Sequence, residues 1–171
     1  VSVVLTLVQI DGTEPGMAWC FVQPGHTAAA QVDVQKRDDL TQLADCHALQ
    51  QQLTILLQAD SDGSGKAPVL LYVNVDNMTA INALGGYAQG DAVLQHVAHQ
   101  IQLLQPFQAF TARIEGDKFA VLLYGCNPDQ AETLAQQLCE AVQHGLVEPY
   151  GRQVVLTVSI GLAIVGPAFS D

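Results

Sequence analysis

Positive charge is scarce in this sequence: six Lys plus Arg stand against seventeen Asp plus Glu, for a formal net charge of −11. A surface that grips a phosphate backbone or an anionic bilayer needs clustered cations, so nucleic acid and membrane surfaces are poor partners for it. A single nucleotide remains compatible, because a small site needs only local cations, backbone N–H groups or a metal. Cysteine is sparse as well. Cys20, Cys46, Cys126 and Cys139 are scattered without C-x-x-C spacing, which reads as reduced thiols in a cytoplasmic domain. Long apolar runs are missing. The longest, Val1–Ile10 and Val154–Val165, fall short of a membrane helix and are rich in β-formers, and no signal peptide precedes them. The chain opens on Val inside a strand-like run, so it reads as a piece of a longer protein. Charged residues make up only 13% against 49% hydrophobic, enough apolar mass for one domain core and too much for disorder.

The order of elements follows from periodicity. Residues 1–25 read as two strands around a Gly/Pro-bearing connection, and 26–37 as an Ala/Gln-rich connecting helix. Leu49, Leu53, Leu56 and Leu57 give helical spacing over 46–58, broken by the linker "DSDGSGKAP". "VLLYVNV" is a buried-strand run. A short helical piece over Met78–Leu84 precedes Gly85-Gly86; from Gln89 a longer helix carries Leu94, Val97, Ala98, Ile101 and Leu104 on one stripe. "FTARI" and "FAVLLY" are hairpin arms around Glu115-Gly116-Asp117-Lys118. Asn127 caps a helix with Pro128 in its first turn and Ala131, Leu134, Ala135, Leu138 and Val142 on its buried face. "VVLTVSIGLAIV" is a final long strand.

From Val69 this is strand, helix, strand, strand, helix, strand, an α/β (α+β) pattern that fits a ferredoxin-like βαββαβ sheet with helices packed on it. A strand–helix–strand crossover makes Val69–Val75 and Phe110–Ile114 run the same way, with Phe119–Tyr124 inserted between them. Asn74 and Asp76 are therefore expected beside Glu115, Asp117 and Lys118.

Four segments follow one another: "DDLTQLADCHAL", "VNVDNMTAINALGGYAQGDAVL", "RIEGDKFAVLL" and "LTVSIGLA". In that order they resemble the GGDEF domains, whose nucleotide-cyclase fold, as diguanylate cyclases, joins two GTP into cyclic di-GMP. The resemblance covers residues 38–171. The first segment is similar to D-x-L-T-G-L-x-N-R, with Gln42, Asp45 and Cys46 replacing Gly, Asn and Arg. The third stands where R-x-G-G-D-E-F is expected. By the resemblance Asn82 and Asp91 match the positions that hydrogen-bond guanine, which suits an amide and a carboxylate facing O6, N1 and N2; a helix cap and a turn residue are the plain alternatives. Arg113 matches the arginine before the signature loop, a nucleotide-side position or else a surface charge. Asp117 matches a metal-ligand carboxylate.

The departures from the family bear on activity. Asn74 replaces the other metal carboxylate, and Mg²⁺ at phosphate sites relies on one or two carboxylates. Thr79 replaces a phosphate-contacting lysine. In the signature loop Glu115, Gly116, Asp117, Lys118 and Phe119, Glu115 replaces the first glycine and Lys118 the acid associated with catalysis. Tyr87 stands where His is usual. Each lost electrostatic contact costs about a hundred- to a thousandfold in rate, so Mg²⁺ with GTP is weakened and no intact catalytic set is expected. Lys118 either offsets the missing lysine or pairs with Glu115. The inhibitory R-x-x-D motif falls on Pro106–Ala109 without its charges.

Weaker signals are read plainly. His96 and His99, at i and i+3, lack a carboxylate or Cys partner and are taken as surface or capping residues. "DSDGSGK" lacks the terminal Glu of a calcium loop. The strands ending in "MAWCFVQPG" are similar to the tail of a PAS-type sensor, and the sequence stops soon after "SIGLAIV", before a helix that the family normally adds. The resemblance thus implies a catalytically impaired bacterial domain in cyclic di-GMP signalling. It would bind GTP or another guanine nucleotide, or serve as a coupling module, for an adjoining EAL phosphodiesterase, as a homodimer in some arrangements. A weakly active cyclase and a purely structural dimerisation element are the alternatives.

Overall fold

The computed structural model describes residues 36–59, 67–103, 108–144 and 155–165. Its elements run α1 (Cys46–Ala59), β1 (Val69–Val75), α2 (Met78–Leu103), β2 (Ala109–Glu115), β3 (Lys118–Leu123), α3 (Pro128–His144) and β4 (Val158–Ile164). The strands form one sheet in the order β2-β3-β1-β4, each neighbouring pair antiparallel. This is the ferredoxin-like arrangement. The α2 crossover returns the chain so that β2 runs parallel to β1, and β3 folds back into the space between them, as the connectivity requires.

Both faces of the sheet are covered, and strand alternation sorts the side chains between them. Val69, Leu71, Val73 and Val75 of β1 join Phe119, Val121 and Leu123 of β3 under α2 and α3, against Val97, Ile101, Leu134 and Leu138. On the other face Leu70, Ala120 and Leu122 meet Ala48 and Leu49 of α1. Helix starts are set by side chains. Asp45 Oδ1 accepts the Ala48 N–H at 2.8 Å to begin α1. At α3, Asn127 Oδ1 accepts from Gln130 N at 2.8 Å and Gln130 Oε1 from Asn127 N at 3.0 Å, a reciprocal capping box.

The break expected at Gly85-Gly86 is present: α2 turns a corner at Gly86, with φ 74° and ψ 178°, a region open essentially to glycine alone. Two expectations are narrowed. The hairpin tip is a two-residue turn, Gly116-Asp117, because Glu115 and Lys118 pair with each other as strand residues. The final strand begins at Val158, because β1 offers pairing partners only from Val75↔Val158 to Val69↔Ile164. The strand pair over 1–25, the connecting helix up to residue 35, the linker over 60–66, Leu104 and Pro106 lie outside the described residues. Arg37, at the end of the expected connecting helix, forms an extended bridge with Ala44 instead. Among the described residues no helix is long and apolar enough to cross a membrane.

Candidate functional site

The C-terminal end of β1 meets the β2–β3 turn, as the topology demanded. Asn74 stands opposite Lys118 in the β1–β3 register, and the Val75 N–H donates to the Asp117 carbonyl at 3.0 Å. Asn74, Asp117, Lys118 and Glu115 are therefore brought together. The Lys118 ammonium is spent on Glu115, Nζ to Oε1 at 2.5 Å. That hydrogen bond holds the Glu115 carboxyl below its ordinary range and the Lys118 amine above its own. Being open to solvent, the pair adds little to stability; its consequence is local, since it fixes a cation beside the loop.

Asp76 is engaged with the other edge of the sheet. Its carboxylate accepts hydroxyl hydrogens from Thr157 at 2.7 Å and Ser159 at 2.8 Å, tying the end of β1 to β4. Asn74 turns its amide to the Val75 carbonyl at 3.3 Å. The donor set for a divalent cation is then one carboxylate and one neutral amide, with an ammonium alongside, and no group of three His, Cys, Asp or Glu fit for a metal occurs among the described residues. Mg²⁺ at phosphate sites is held by one or two carboxylates together with phosphate oxygens and water, so this set stands at the lower end of what the ion uses.

Arg113 is placed differently from a free nucleotide contact. Its Nη1 donates to both carboxylate oxygens of Asp38 at 3.0 and 3.1 Å, while Nε and Nη2 donate to the Gly116 carbonyl at 3.0 and 2.7 Å. One guanidinium thus joins the turn that opens the domain to the tip of the signature hairpin, with Asp38 and Arg113 75 residues apart in sequence. A bulge at Ile114, between the Arg113↔Phe119 and Glu115↔Lys118 pairs, re-aims the strand there. Asp38 Oδ1 also accepts from Thr41 N and Oγ1 at 2.8 and 2.7 Å. Burial raises the Asp38 carboxyl, but the hydrogen bonds from Thr41 and Arg113 outweigh it and leave it below 3.8.

Arg113→Ala is expected to lower the unfolding free energy by about 2–3 kcal/mol in urea titrations, because a partly buried carboxylate and a carbonyl lose charge-assisted donors. Arg113→Lys recovers only part of this, since a single ammonium cannot span both acceptors. With its folded pKa depressed, Asp38 contributes stability above pH 3.8 that is lost as pH falls through the folded value. Arg113→Ala should therefore also flatten the acid limb of stability against pH.

The second patch is the α2 corner. Asn82 lies before it and Asp91 after it, on the helix that begins where β1 ends. The Asn82 side chain rests on Gly90, where any Cβ would overlap Oδ1, and that oxygen is shielded from solvent with no hydrogen-bond partner. Asp91, next to Gly90, is exposed, as is Thr79 in the first turn. Phe119 points away from both patches into the core, 0% exposed. His96 is half-buried, with an unpartnered Nε2 and a pKa lowered by burial and by His99, so it is less of a surface residue than its sequence context suggests. No local pattern in the sequence pairs Asp38 with Arg113, although the D-x-x-T spacing is an Asx-type turn signal. Nor does any pattern single out Gln89, whose Nε2 is buried and unpartnered.

The chain is similar to known proteins in sequence and in fold. The profile of the family described as "Diguanylate cyclase, GGDEF domain" matches residues 35–170. The probable diguanylate cyclase DgcE of Escherichia coli K12 is 32% identical over 130 residues, which are 75% of this chain and 12% of DgcE. The bifunctional diguanylate cyclase/cyclic di-GMP phosphodiesterase MucR of Pseudomonas aeruginosa is 29% identical over 136 residues, 78% of this chain and 19% of MucR. The chain thus spans less than a fifth of either relative. Among solved structures, the FimX GGDEF domain from Pseudomonas aeruginosa superposes with a TM-score of 0.71 at 25% identity, covering 80% of this chain and 83% of that one. Because the family profile matches residues 35–170, most of its length, the chain belongs to the GGDEF diguanylate cyclase domain family.

Proposed function

We propose that this GGDEF domain works in cyclic di-GMP signalling as a regulatory module that binds GTP without useful cyclase turnover. In the full-length cytoplasmic protein it would control an adjoining EAL phosphodiesterase. The observation that carries this reading is the Lys118–Glu115 pair seated opposite Asn74. Where two acids would balance a metal and a triphosphate, there is one acid, an amide and a closed ion pair. Phosphoryl transfer relies on positioning and charge neutralisation, so the reaction suffers first. The α2 corner, by contrast, keeps the amide of Asn82 and the carboxylate of Asp91, the groups a guanine edge requires. MucR, which combines cyclase and phosphodiesterase in its name, shows that a domain of this family occurs in such a protein.

Titration calorimetry with GTP is the test. Binding is expected with a dissociation constant changed by less than about threefold between excess Mg²⁺ and EDTA, because one carboxylate and an amide gain little from the cation. Absence of heat at millimolar nucleotide would reject nucleotide sensing and leave a scaffold. A steep Mg²⁺ requirement would reject the weakened metal site.

A further inference from the structure

The corner of α2 holds two amide side chains whose buried ends have no partner, and they are complementary: Asn82 Oδ1 is an acceptor and Gln89 Nε2 a donor. Each lies on a glycine across the corner. A Cβ at Gly85 would come within 2.5 and 2.6 Å of Gln89 Cβ and Cγ, and one at Gly90 would run into Asn82. The two glycines thus let both amides fold into the angle between the half-helices. Unpartnered buried polar atoms are costly, and two in one corner call for a ligand or a rearrangement that satisfies them. The hinge between them is unpacked: nothing lies within 4 Å of a Cβ position at Gly86, and its neighbours Leu84 and Tyr87 are 62% and 84% exposed. The backbone at Gly86 itself is thus free of side-chain packing, while Ile81 before the corner and Val93 after it are held in the core.

We infer that Gln89 is a third base-reading residue, and that the α2 corner opens at Gly86 to take the edge of a 6-oxopurine. This rests on the nucleotide-binding reading above and extends it. The guanine edge presents O6, N1–H and the 2-amino group in succession. Gln89 Nε2 donates to O6, Asn82 Oδ1 accepts from N1–H, and the exposed Asp91 carboxylate accepts from the 2-amino group. Leu84 and Tyr87 supply apolar surface for the ring faces. Adenine, with a donor where guanine has O6 and a bare N1, meets both amides with the wrong polarity and is rejected.

The experiment compares GTP, ITP and ATP on the wild-type chain, Gln89→Leu and Asp91→Ala by calorimetry. ITP keeps O6 and N1–H but lacks the 2-amino group. Gln89→Leu is expected to weaken GTP and ITP by the same factor, about tenfold, as loss of one buried hydrogen bond would. Asp91→Ala weakens GTP but leaves ITP unchanged. Thermal melts confirm that each variant is folded, and Gln89→Glu, which turns the donor into an acceptor, serves in its place should Gln89→Leu not fold. No GTP binding by the wild type overturns the nucleotide reading and this inference together. Binding by the wild type with GTP affinity unmoved in the folded Gln89 variant overturns this inference alone, as does equal affinity for ATP and GTP.

Discussion

Replacing Phe119 by alanine is expected to lower the unfolding free energy by about 3–5 kcal/mol, the range for deleting a fully buried aromatic ring. Phe119 is the last residue of the signature loop, and the structure places it first among the fully buried side chains, at 0% exposure. It lies on β3, flanked by Val73 of β1 and Arg113 of β2. Its ring lies on the sheet face covered by α2 and α3, so a void opened there sits inside the main core. The hairpin tip is anchored through the same residue: Asp117 and Lys118, which face Asn74, are held in place by the ring that follows them. Urea unfolding should show a lower midpoint with an unchanged slope. Tyr87→Ala, at a residue 84% exposed, should stay within about 0.5 kcal/mol of the parent. A Phe119→Ala loss under about 1 kcal/mol would contradict the packing described for β3.

That a signature residue acts as core shows what the sequence could and could not reveal. The parallel placement of β1 and β2 follows from chain connectivity alone, so Asn74 could be set beside Asp117 from the order of elements. The α3 face was legible because Ala131, Leu134, Ala135, Leu138 and Val142 repeat at helical spacing, and all five are buried. Contacts between distant side chains were not legible. Asp38 and Arg113 are joined only when α1 packs on β2, and no local pattern announces it. The choice of Lys118 between Glu115 and a phosphate-facing pose is decided by rotamers on an exposed turn, where the energies involved are below what composition can resolve. One departure acquired a physical meaning in the fold: Gln42, where the family has Gly, sits at φ 60°. A side chain there carries a steric cost of about 1–2 kcal/mol, partly offset by bonds from Gln42 Nε2 to the Asp39 carbonyl at 2.9 Å and from Arg37 Nη1 to the Gln42 carbonyl at 2.6 Å. The last strand and the hairpin tip are both shorter than the sequence pattern implies, because polarity reports burial while strand limits are set by the partner available.

Reversing the departures at the hairpin should raise cyclic di-GMP production from the background by at least about a hundredfold, the effect of one restored electrostatic contact. The variant joins Asn74→Asp and Thr79→Lys with Glu115→Gly and Lys118→Glu, in the full-length protein so that two sites can face each other. The combination matters physically. Asn74→Asp alone places a second carboxylate opposite an ammonium that is already in the register position, and the cation would neutralise the new charge instead of leaving it for a metal. Lys118→Glu alone faces Glu115 with a like charge at a directly paired position, which repels. Only when Glu115 is also removed can the tip carry acids at 117 and 118 without that repulsion, and only with a lysine at 79 is a triphosphate met by a cation. Little turnover is therefore expected from the single variants and a large gain from the set, measured as cyclic di-GMP formed from GTP and Mg²⁺ under saturating nucleotide. An unaltered protein that already turns over GTP strongly, and loses this on Asp117→Ala, would show instead that one acid and an amide suffice for the reaction.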